Sequence, residues 1–316
     1  MIARAWPWRL VLWTLEAPPV PLAMLLGHLY LELVRVLAPA FEGRARKNLA
    51  LAGINPTGVV RKTRRSLVRF LVVLARFRRL SPANYSRWVR LEGMEHFLAA
   101  LECGRGVLLV SGHVGHWELG ALACSLAGHP VHLLVHRSPH RGMEACLEQL
   151  RTAAGNRLIE ERGAARAVAS ALRKNQVVCT LIDTVPEWLA ADAEIPFLGG
   201  KVPTATAMAR LACVTGAAVV PVFALWSESE RRYVVRFQER MAMSGQHPDA
   251  PAALSMQPLT GRGACPGATV SGQRFRKPRA RSAEDTRQMY AMLEQVVREH
   301  PDQYFWIFNP AGANAK

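Results

Sequence analysis

Short apolar runs alternate with helical patterns over the second two thirds of the chain. Nearly continuous apolar residues predict buried strands at 106–110, 131–135, 176–182 and 217–225, with a further strand at 233–237. Helical periodicity lies between and after them, at 118–127, 142–154, 164–174, 205–215 and 284–299. This alternation predicts an α/β fold in which helices flank a layered, mostly parallel sheet.

The N-terminal segment, up to residue 41, is apolar but irregular. Its cleanest apolar run, 19–31, is shorter than the about 20 residues that a membrane-spanning helix needs. Pro18, Pro19 and Pro21 are expected to break any helix there. Because the tryptophans of this segment suit the headgroup depth of a bilayer, we interpret 1–43 as a membrane-embedded or interfacial anchor. The alternative is an ordinary helical hairpin packed against the core.

Segment 61–80 carries the strongest local charge. It reads RKTRRSLVRFLVVLARFRRL and contains eight basic residues and no acidic one. Leu67, Phe70, Leu74 and Phe77 recur in it at helical spacing. A basic amphipathic helix of this kind suits an anionic membrane surface. The alternative is a core-facing helix whose charged side is solvated.

Segment 244–281 differs from everything around it. Gly, Pro, Ser and Ala dominate, and no sustained periodicity is found. We therefore predict a flexible loop or insertion within a second unit that spans 44–316.

Composition narrows the classes of partner. The chain has 316 residues, of which 50% are hydrophobic, so it can bury a sizeable core. Lys and Arg number 40 against 24 Asp and Glu, and the net charge of +16 favours an anionic membrane surface, nucleic acid or an acidic protein. No nucleic-acid motif is found, so we expect no nucleic-acid partner. Six scattered cysteines without a Cys-x-x-Cys pair predict reduced, mostly buried thiols.

The candidate chemistry lies in SGHVGHWELG, residues 111–120. On one regular helix His113 and Glu118 would be about 140° apart, so they can meet only if His113 lies in a loop and Glu118 in the first helical turn. An imidazole accepts a hydroxyl proton near neutral pH, and a carboxylate on its other nitrogen fixes the tautomer. We therefore predict His113 as a general base and Glu118 as its carboxylate partner.

The sequence motifs give little support to a metal site or a nucleotide-binding site. His113, His116 and Glu118 are candidate metal ligands, but their spacing does not match the His-Glu-x-x-His pattern of a zinc site. Neither a Gly-x-Ser-x-Gly elbow nor a Walker phosphate loop occurs. We expect no metal and no cofactor other than a co-substrate.

The block at 113–118 resembles the His-x-Gly-Asn-Trp-Glu signature of the membrane-bound lipid A biosynthesis acyltransferases, which are lauroyl- and myristoyl-type enzymes with a His-x4-Asp/Glu motif. The likeness extends from Ala38 to Trp306. Four further blocks agree with the family in order and spacing, namely RARKNLALAG at 44–53, LRTAAGNRLIE at 150–160, LRKNQVVCTLIDT at 172–184 and IPFLGGKVPTATAMARLACVTGAAVVPV at 195–222.

The resemblance implies a glycerolphosphate-acyltransferase-like fold and an O-acyltransferase activity. A fatty acyl chain would pass from acyl carrier protein or acyl-CoA to a hydroxyl of a lipid A precursor or related glycolipid, at the cytoplasmic face of the bacterial inner membrane. His113 matches the family's catalytic base and Glu118 its charge-relay partner. Arg151 and Asp183 match residues of two further blocks, and we expect Arg151 to bind donor phosphate or to pair with Asp183.

Two more residues complete the predicted substrate site. Thr204 either offers a hydroxyl to the cleft or caps the following helix. His116 replaces the family's usual Asn and is expected to change hydrogen bonding around the acyl donor. We expect backbone amides near Gly115 to stabilise the oxyanion.

The C-terminus and the long loop after Arg240 depart from the family and bear on the choice of acceptor. The alternatives are therefore an acyltransferase for another lipid, a thioesterase, or a non-catalytic lipid-binding protein of the same fold.

Overall fold

A seven-stranded sheet forms the centre of this computed structural model, which describes residues 6–138, 140–184, 191–244 and 278–308. The strands are β1 (Val89–Glu92), β2 (Val107–Ser111), β3 (Val131–Val135), β4 (Arg157–Glu160), β5 (Val177–Leu181), β6 (Ala193–Phe197), β7 (Gly200–Thr204), β8 (Ala218–Ser227) and β9 (Arg232–Phe237). The sheet order is β1-β9-β8-β2-β5-β3-β4, and β6 pairs with β7 in a separate hairpin. Only the β8–β9 pair of the large sheet is antiparallel. The predicted α/β architecture is confirmed.

Helices cover both faces of this sheet, so alternate residues of its central strand are buried on opposite sides. Val107 and Leu109 of β2 belong to one core cluster, and Leu108 and Val110 to another. The helices are α1 (Trp6–Glu16), α2 (Val20–Leu37), α3 (Ala40–Leu51), α4 (Pro56–Ala75), α5 (Met94–Glu102), α6 (Trp117–Leu126), α7 (Arg141–Thr152), α8 (Ala165–Arg173), α9 (Ala207–Thr215) and α10 (Pro278–Glu299). The first core lies beneath α4, α5 and α6, and the second beneath α8 and α9.

The five predicted strands are present, and their ends lie within two residues of the predicted ones. The predicted helices are present as well, although α10 begins six residues earlier than expected. The pattern missed β1, β4 and the β6–β7 hairpin. Each of these is short and only partly buried, so none produces a continuous apolar run.

The predicted loop and the predicted reduced cysteines have different outcomes. The loop predicted at 244–281 falls almost entirely outside the described residues, and its last four positions belong to α10. The five cysteines within the described ranges are all free thiols, as expected, but Cys103 is exposed.

The N-terminal segment forms the helices α1 and α2. The break lies between them, and Pro21 is accommodated in the first turn of α2, where a missing N–H costs no intrahelical hydrogen bond. The helix continues to Leu37, and Glu32 within it is paired with Arg35 at 2.7 Å and also with Arg64. Within the described ranges α2 is the one helix long and apolar enough to cross a membrane. The apolar helix is therefore longer than the apolar run at 19–31 that the sequence suggested.

One side of α2 packs against α4, and the other side is exposed. Ala23 and Gly27 are buried there, and a Cβ on Gly27 would come within 2.7 Å of a γ carbon of Val68. Large apolar side chains such as Leu29 remain 57% exposed on the opposite side. The segment thus combines a packed helical hairpin with an uncovered apolar surface. The predicted division at residue 43 falls within α3.

The basic segment forms α4, and only its first half is the exposed basic helix that the charge pattern predicts. From Val68 to Phe77 every residue except Leu71 is buried, including Arg69 and Arg76, and Arg78 and Arg79 are exposed again. The Arg76 guanidinium donates to the carbonyl oxygens of Val72 and Pro18 at 2.9 and 2.7 Å. Burial lowers the pKa of both arginines. The second half of α4 is therefore a core helix that anchors the α1–α2 hairpin, and not a membrane-surface helix.

Candidate active site

The predicted junction of strand, loop and helix is present. β2 ends at Ser111, His113 lies in the loop, and α6 begins at Trp117. Gly115 has φ +64°, and a Cβ there would lie 2.0 Å from the carbonyl oxygen of Ala224. Only glycine fits this close approach between the loop and β8 without a shift of backbone.

The carboxylate bound to the His113 ring is that of Asp183. His113 Nδ1 lies 2.9 Å from Asp183 Oδ1, and the His113 amide donates to Asp183 Oδ2, also at 2.9 Å. Asp183 is fully buried, and the His113 side chain is 15% exposed. The sequence prediction of Glu118 as the carboxylate on His113 is therefore wrong for this structure.

The Asp183 carboxylate is poised to stay ionised. Burial by itself raises the pKa of a carboxyl group, but the charge of His113 and its two hydrogen bonds lower the pKa of Asp183 overall. Two buried tyrosines, Tyr290 and Tyr304, lie near this carboxylate. Their own pKa values are raised, mainly by burial, and the negative charge of Asp183 adds to the increase.

Glu118 instead pairs with Arg151. Arg151 Nε lies 3.0 Å from both Glu118 oxygens, and Arg151 Nη2 lies 2.5 Å from Glu118 Oε1. The predicted pair between Arg151 and Asp183 is therefore absent, because each residue has a different partner. Burial lowers the pKa of the guanidinium, but the charge and hydrogen bonds of Glu118 raise it overall. Among the described residues, Arg151 Nη1 is buried without a hydrogen-bond partner.

His116 is fully buried where α6 packs against α4. It is 0% exposed and caps α6, where its Nδ1 accepts a hydrogen bond from the Leu119 amide at 3.2 Å. Its ring stacks on Phe70 with centroids 4.0 Å apart. Burial lowers the pKa of His116 to about 3. The expected role around the acyl donor is thus replaced by a neutral imidazole that joins α6 to α4.

Thr204 lies beside the site and is bound to another hydroxyl group. Its Oγ1 is 2.7 Å from the Tyr290 hydroxyl, which donates to the carbonyl oxygen of Ile182. Thr204 lines a cleft that also includes residues on either side of Asp183. The capping position of α9 is held by Thr206, so capping is not the role of Thr204.

Aromatic rings surround His113 on the side of α6. Trp117 meets the His113 ring edge to face at 4.7 Å and contacts Phe305 at 4.8 Å. The Phe305 amide donates to the His113 carbonyl oxygen at 2.9 Å, and Tyr304 forms an isolated bridge with Val114. Sequence reasoning missed these C-terminal contacts, because the aromatic cluster at 304–306 gave no sign of where it packs.

The expected oxyanion donors at Gly115 are occupied. Its amide donates to the Gln303 carbonyl oxygen, and the His116 amide donates to that of Ala224, both at 2.8 Å. The next amides, of Trp117 and Glu118, belong to the first turn of α6, where backbone N–H groups have no intrahelical acceptor. The described residues contain no group of three His, Cys, Asp or Glu side chains that could hold a metal ion.

Comparison with known proteins gives one family. The sequence model of the bacterial lipid A biosynthesis acyltransferases matches residues 2–310, which is nearly the whole chain. A comparison with curated proteins gives no match. The matched region includes the His113 loop, Arg151 and Asp183 together with the N-terminal helices. The chain belongs to the bacterial lipid A biosynthesis acyltransferase family and is therefore an acyltransferase of a membrane-associated class.

Proposed function

We propose that this protein transfers a fatty acyl chain from the thioester of acyl carrier protein or coenzyme A to a hydroxyl of a lipid A precursor or related glycolipid. The observation that carries the proposal is the 2.9 Å contact of His113 Nδ1 with Asp183 Oδ1, at the carboxyl edge of the sheet in a chain of this family. Open α/β sheets bind ligands at this edge.

His113 acts as the general base in the proposed reaction. Its Nδ1–H donates to Asp183, which leaves Nε2 as the basic nitrogen and fixes the ring orientation. Nε2 takes the proton of the acceptor hydroxyl while the hydroxyl oxygen attacks the thioester carbonyl carbon. The tetrahedral intermediate then collapses, the carbon–sulfur bond breaks, and the imidazolium returns the proton to the thiolate. The negative charge of Asp183 stabilises the imidazolium between these steps.

The oxyanion is stabilised by the amides of Trp117 and Glu118 at the start of α6. Glu118 has a positioning role, since both of its oxygens hold Arg151. Arg151 keeps one donor nitrogen for an anionic group of the acyl donor. The predicted catalytic role of Glu118 is thereby replaced by one that acts through Arg151.

The protein works at the cytoplasmic face of the inner membrane in this proposal. Support comes from the apolar α2 and from the net charge of +16, which attracts an acidic carrier protein and anionic lipid. Because exposed charges are screened by salt, the apparent KM for acyl carrier protein should rise with ionic strength.

The test is acyl transfer by the purified full-length protein, with labelled acyl carrier protein or acyl-CoA and an under-acylated lipid A precursor. We expect His113→Ala to lower turnover by about 10²- to 10⁴-fold and Asp183→Asn to lower it by up to about 10⁴-fold. The control is His140→Ala, which removes an exposed imidazole outside the site.

Each alternative predicts a distinct product. Full transfer by His113→Ala would refute the base assignment. Release of free fatty acid without dependence on the acceptor would identify a thioesterase, and neither product with any lipid would favour a non-catalytic lipid-binding protein.

The pair of Glu118 and Arg151 is tested by a double-mutant cycle. Glu118→Gln leaves Arg151 without its partner carboxylate, and we expect it to destabilise the protein by about 3 kcal/mol. Glu118→Gln combined with Arg151→Met should cost at least about 1 kcal/mol less than the sum of the single changes. Additive effects in denaturant unfolding would contradict the pairing. If Arg151 binds the donor, Arg151→Lys should raise the KM for the donor more than it lowers kcat.

A further inference from the structure

An apolar groove lies between α2, α3 and α4, where the N-terminal helices leave the α/β core. Its walls come from these three helices and from the C-terminal turn at 306–308. The walls are mainly apolar, as at Val34, Phe41 and Leu67, and they also include the polar side chains of Arg35, Glu42 and Thr63. The groove is open at the surface, so a flexible hydrocarbon chain can enter it from the side.

A cluster of basic groups borders the groove. Arg64 lines both the groove and a neighbouring depression, which is also lined by His28 and by Arg61, Lys62 and Arg65 of the first half of α4. Arg64 is paired with Glu32. Among the described residues, by contrast, no carboxylate lies within 4.0 Å of the charged nitrogens of the other three α4 side chains. They present an uncompensated positive surface.

The uncovered apolar side of α2 adjoins this basic cluster. Leu22, Leu25, Leu29 and Leu33 follow one another at spacings of three and four residues and are 48–57% exposed. Exposure of such an apolar stripe to water is unfavourable, and a bilayer would bury it. The basic cluster next to it then lies where lipid phosphates lie.

We propose that the groove and the basic cluster together bind one anionic phospholipid of the membrane. An acyl chain lies in the groove, and the phosphate is held by Arg61, Lys62 and Arg65. Charge complementarity decides the occupant, because apolar walls beside three uncompensated cations match a molecule with an apolar tail and an anionic head. The site is distinct from His113 and does not depend on the proposed acyl transfer.

The bound lipid also contacts the C-terminal turn at 306–308, which supports the catalytic loop. Trp306 forms part of the groove wall, and the amide of the preceding residue, Phe305, donates to the His113 carbonyl oxygen. The Trp306 carbonyl oxygen in turn accepts a hydrogen bond from Asn48 of α3. An occupied groove therefore braces the C-terminal turn from the membrane side.

The experiment is photocrosslinking of the full-length protein in phosphatidylcholine vesicles. One probe is phosphatidylglycerol with a diazirine on an acyl chain, and the other is a diacylglycerol with the same chain and no phosphate. We expect the first probe to label peptides of α2, α3, α4 or the 306–308 turn, and the second to label them about tenfold less or lower still. Equal labelling by both probes, or labelling only of other peptides, would overturn the proposal.

Two variants separate the head site from the tail site. The triple change Arg61→Ala, Lys62→Ala and Arg65→Ala should reduce labelling about tenfold or more, whereas Ala45→Trp should block it by filling the groove. The control with the same charge change is Arg166→Ala, Arg173→Ala and Lys174→Ala on and after α8, which should leave labelling unchanged.

Two further outcomes also count against the site. If the two triple variants lose labelling equally, the effect is general charge, and the proposal fails. If water-soluble glycerol phosphate abolishes labelling, the site recognises phosphate alone, and the lipid assignment fails.

Discussion

The buried His116 makes stability depend on pH in a way that one substitution can isolate. Its folded-state pKa is lowered to about 3, whereas an exposed histidine in the unfolded chain titrates near 6.5. Between these values the unfolded state binds the proton and the folded state does not. Stability is therefore complete above about pH 6.5 and falls as the pH drops towards 3.

The size of the effect follows from the same two values. On going from pH 7 to pH 5 the unfolded state gains about 0.7 proton at this site, and the free energy of unfolding falls by about 2 kcal/mol. His116→Asn removes the titrating ring, and Asn is itself a strong helix-capping residue that can accept from the Leu119 amide. The loss of stacking on Phe70 lowers stability equally at every pH.

The assay is equilibrium urea unfolding of both proteins in the same detergent at pH 7 and pH 5. The difference between the two pH values should be about 2 kcal/mol smaller for His116→Asn than for the unsubstituted protein. His140→Asn, which changes an exposed imidazole, should keep the full difference. An unchanged pH dependence in His116→Asn would mean that the ring is accessible to protons in the folded state and would refute its burial.

Two further predictions concern close backbone approaches. Gly115→Ala should destabilise the protein by about 2 kcal/mol in denaturant unfolding and reduce turnover, because its Cβ would meet a carbonyl oxygen of β8. Gly128→Ala, also at positive φ but with open space around its Cβ, is the matched control and should keep turnover. Gly27→Leu should separate α2 from α4 and lower the free energy of unfolding by about 1–3 kcal/mol in denaturant unfolding. Gly43→Leu, where nothing lies near the Cβ, should not be destabilised in the same measurement.

The central strands were predictable because each is buried on both faces. β2 and β8 read as continuous apolar runs, and their bounds follow from that signal alone. β4 has exposed ends, with Arg157 and Glu160 on the outer edge of the sheet, so its pattern resembles a loop. The burial of the second half of α4 was also hidden, since an arginine in an amphipathic pattern predicts an exposed position. Arg69 is paired with Glu228, just after β8, and Arg76, which follows α4, donates to a carbonyl oxygen of α1.

The site was predictable in its location and not in its pairing. The loop-to-helix junction follows from the spacing of His113 and Glu118, whereas Asp183 is 70 residues away in sequence. A signal for the correct partner nevertheless exists. Ser111 and Leu181 are directly paired ends of the adjacent parallel strands β2 and β5, and His113 and Asp183 each follow two residues later. Strand order was needed to use it, and the sequence alone does not specify strand order.

The two carboxylates differ in what holds them, and this difference assigns their roles. Asp183 lies at the end of a strand beside β2, receives the His113 amide as well as its ring, and so fixes both backbone and imidazole. Glu118 lies on a helix that packs against α7, which carries Arg151, and both of its oxygens serve that guanidinium. The Nδ1 of His113 is thus held by Asp183, and Glu118 is left to hold the guanidinium. Loss of Asp183 should therefore change the pH profile of turnover, because it alters the base, whereas loss of Glu118 should act on substrate affinity and stability through Arg151. The His-x4-Glu motif of this chain thus supplies two side chains with different partners, since His113 is held by Asp183 and Glu118 holds Arg151.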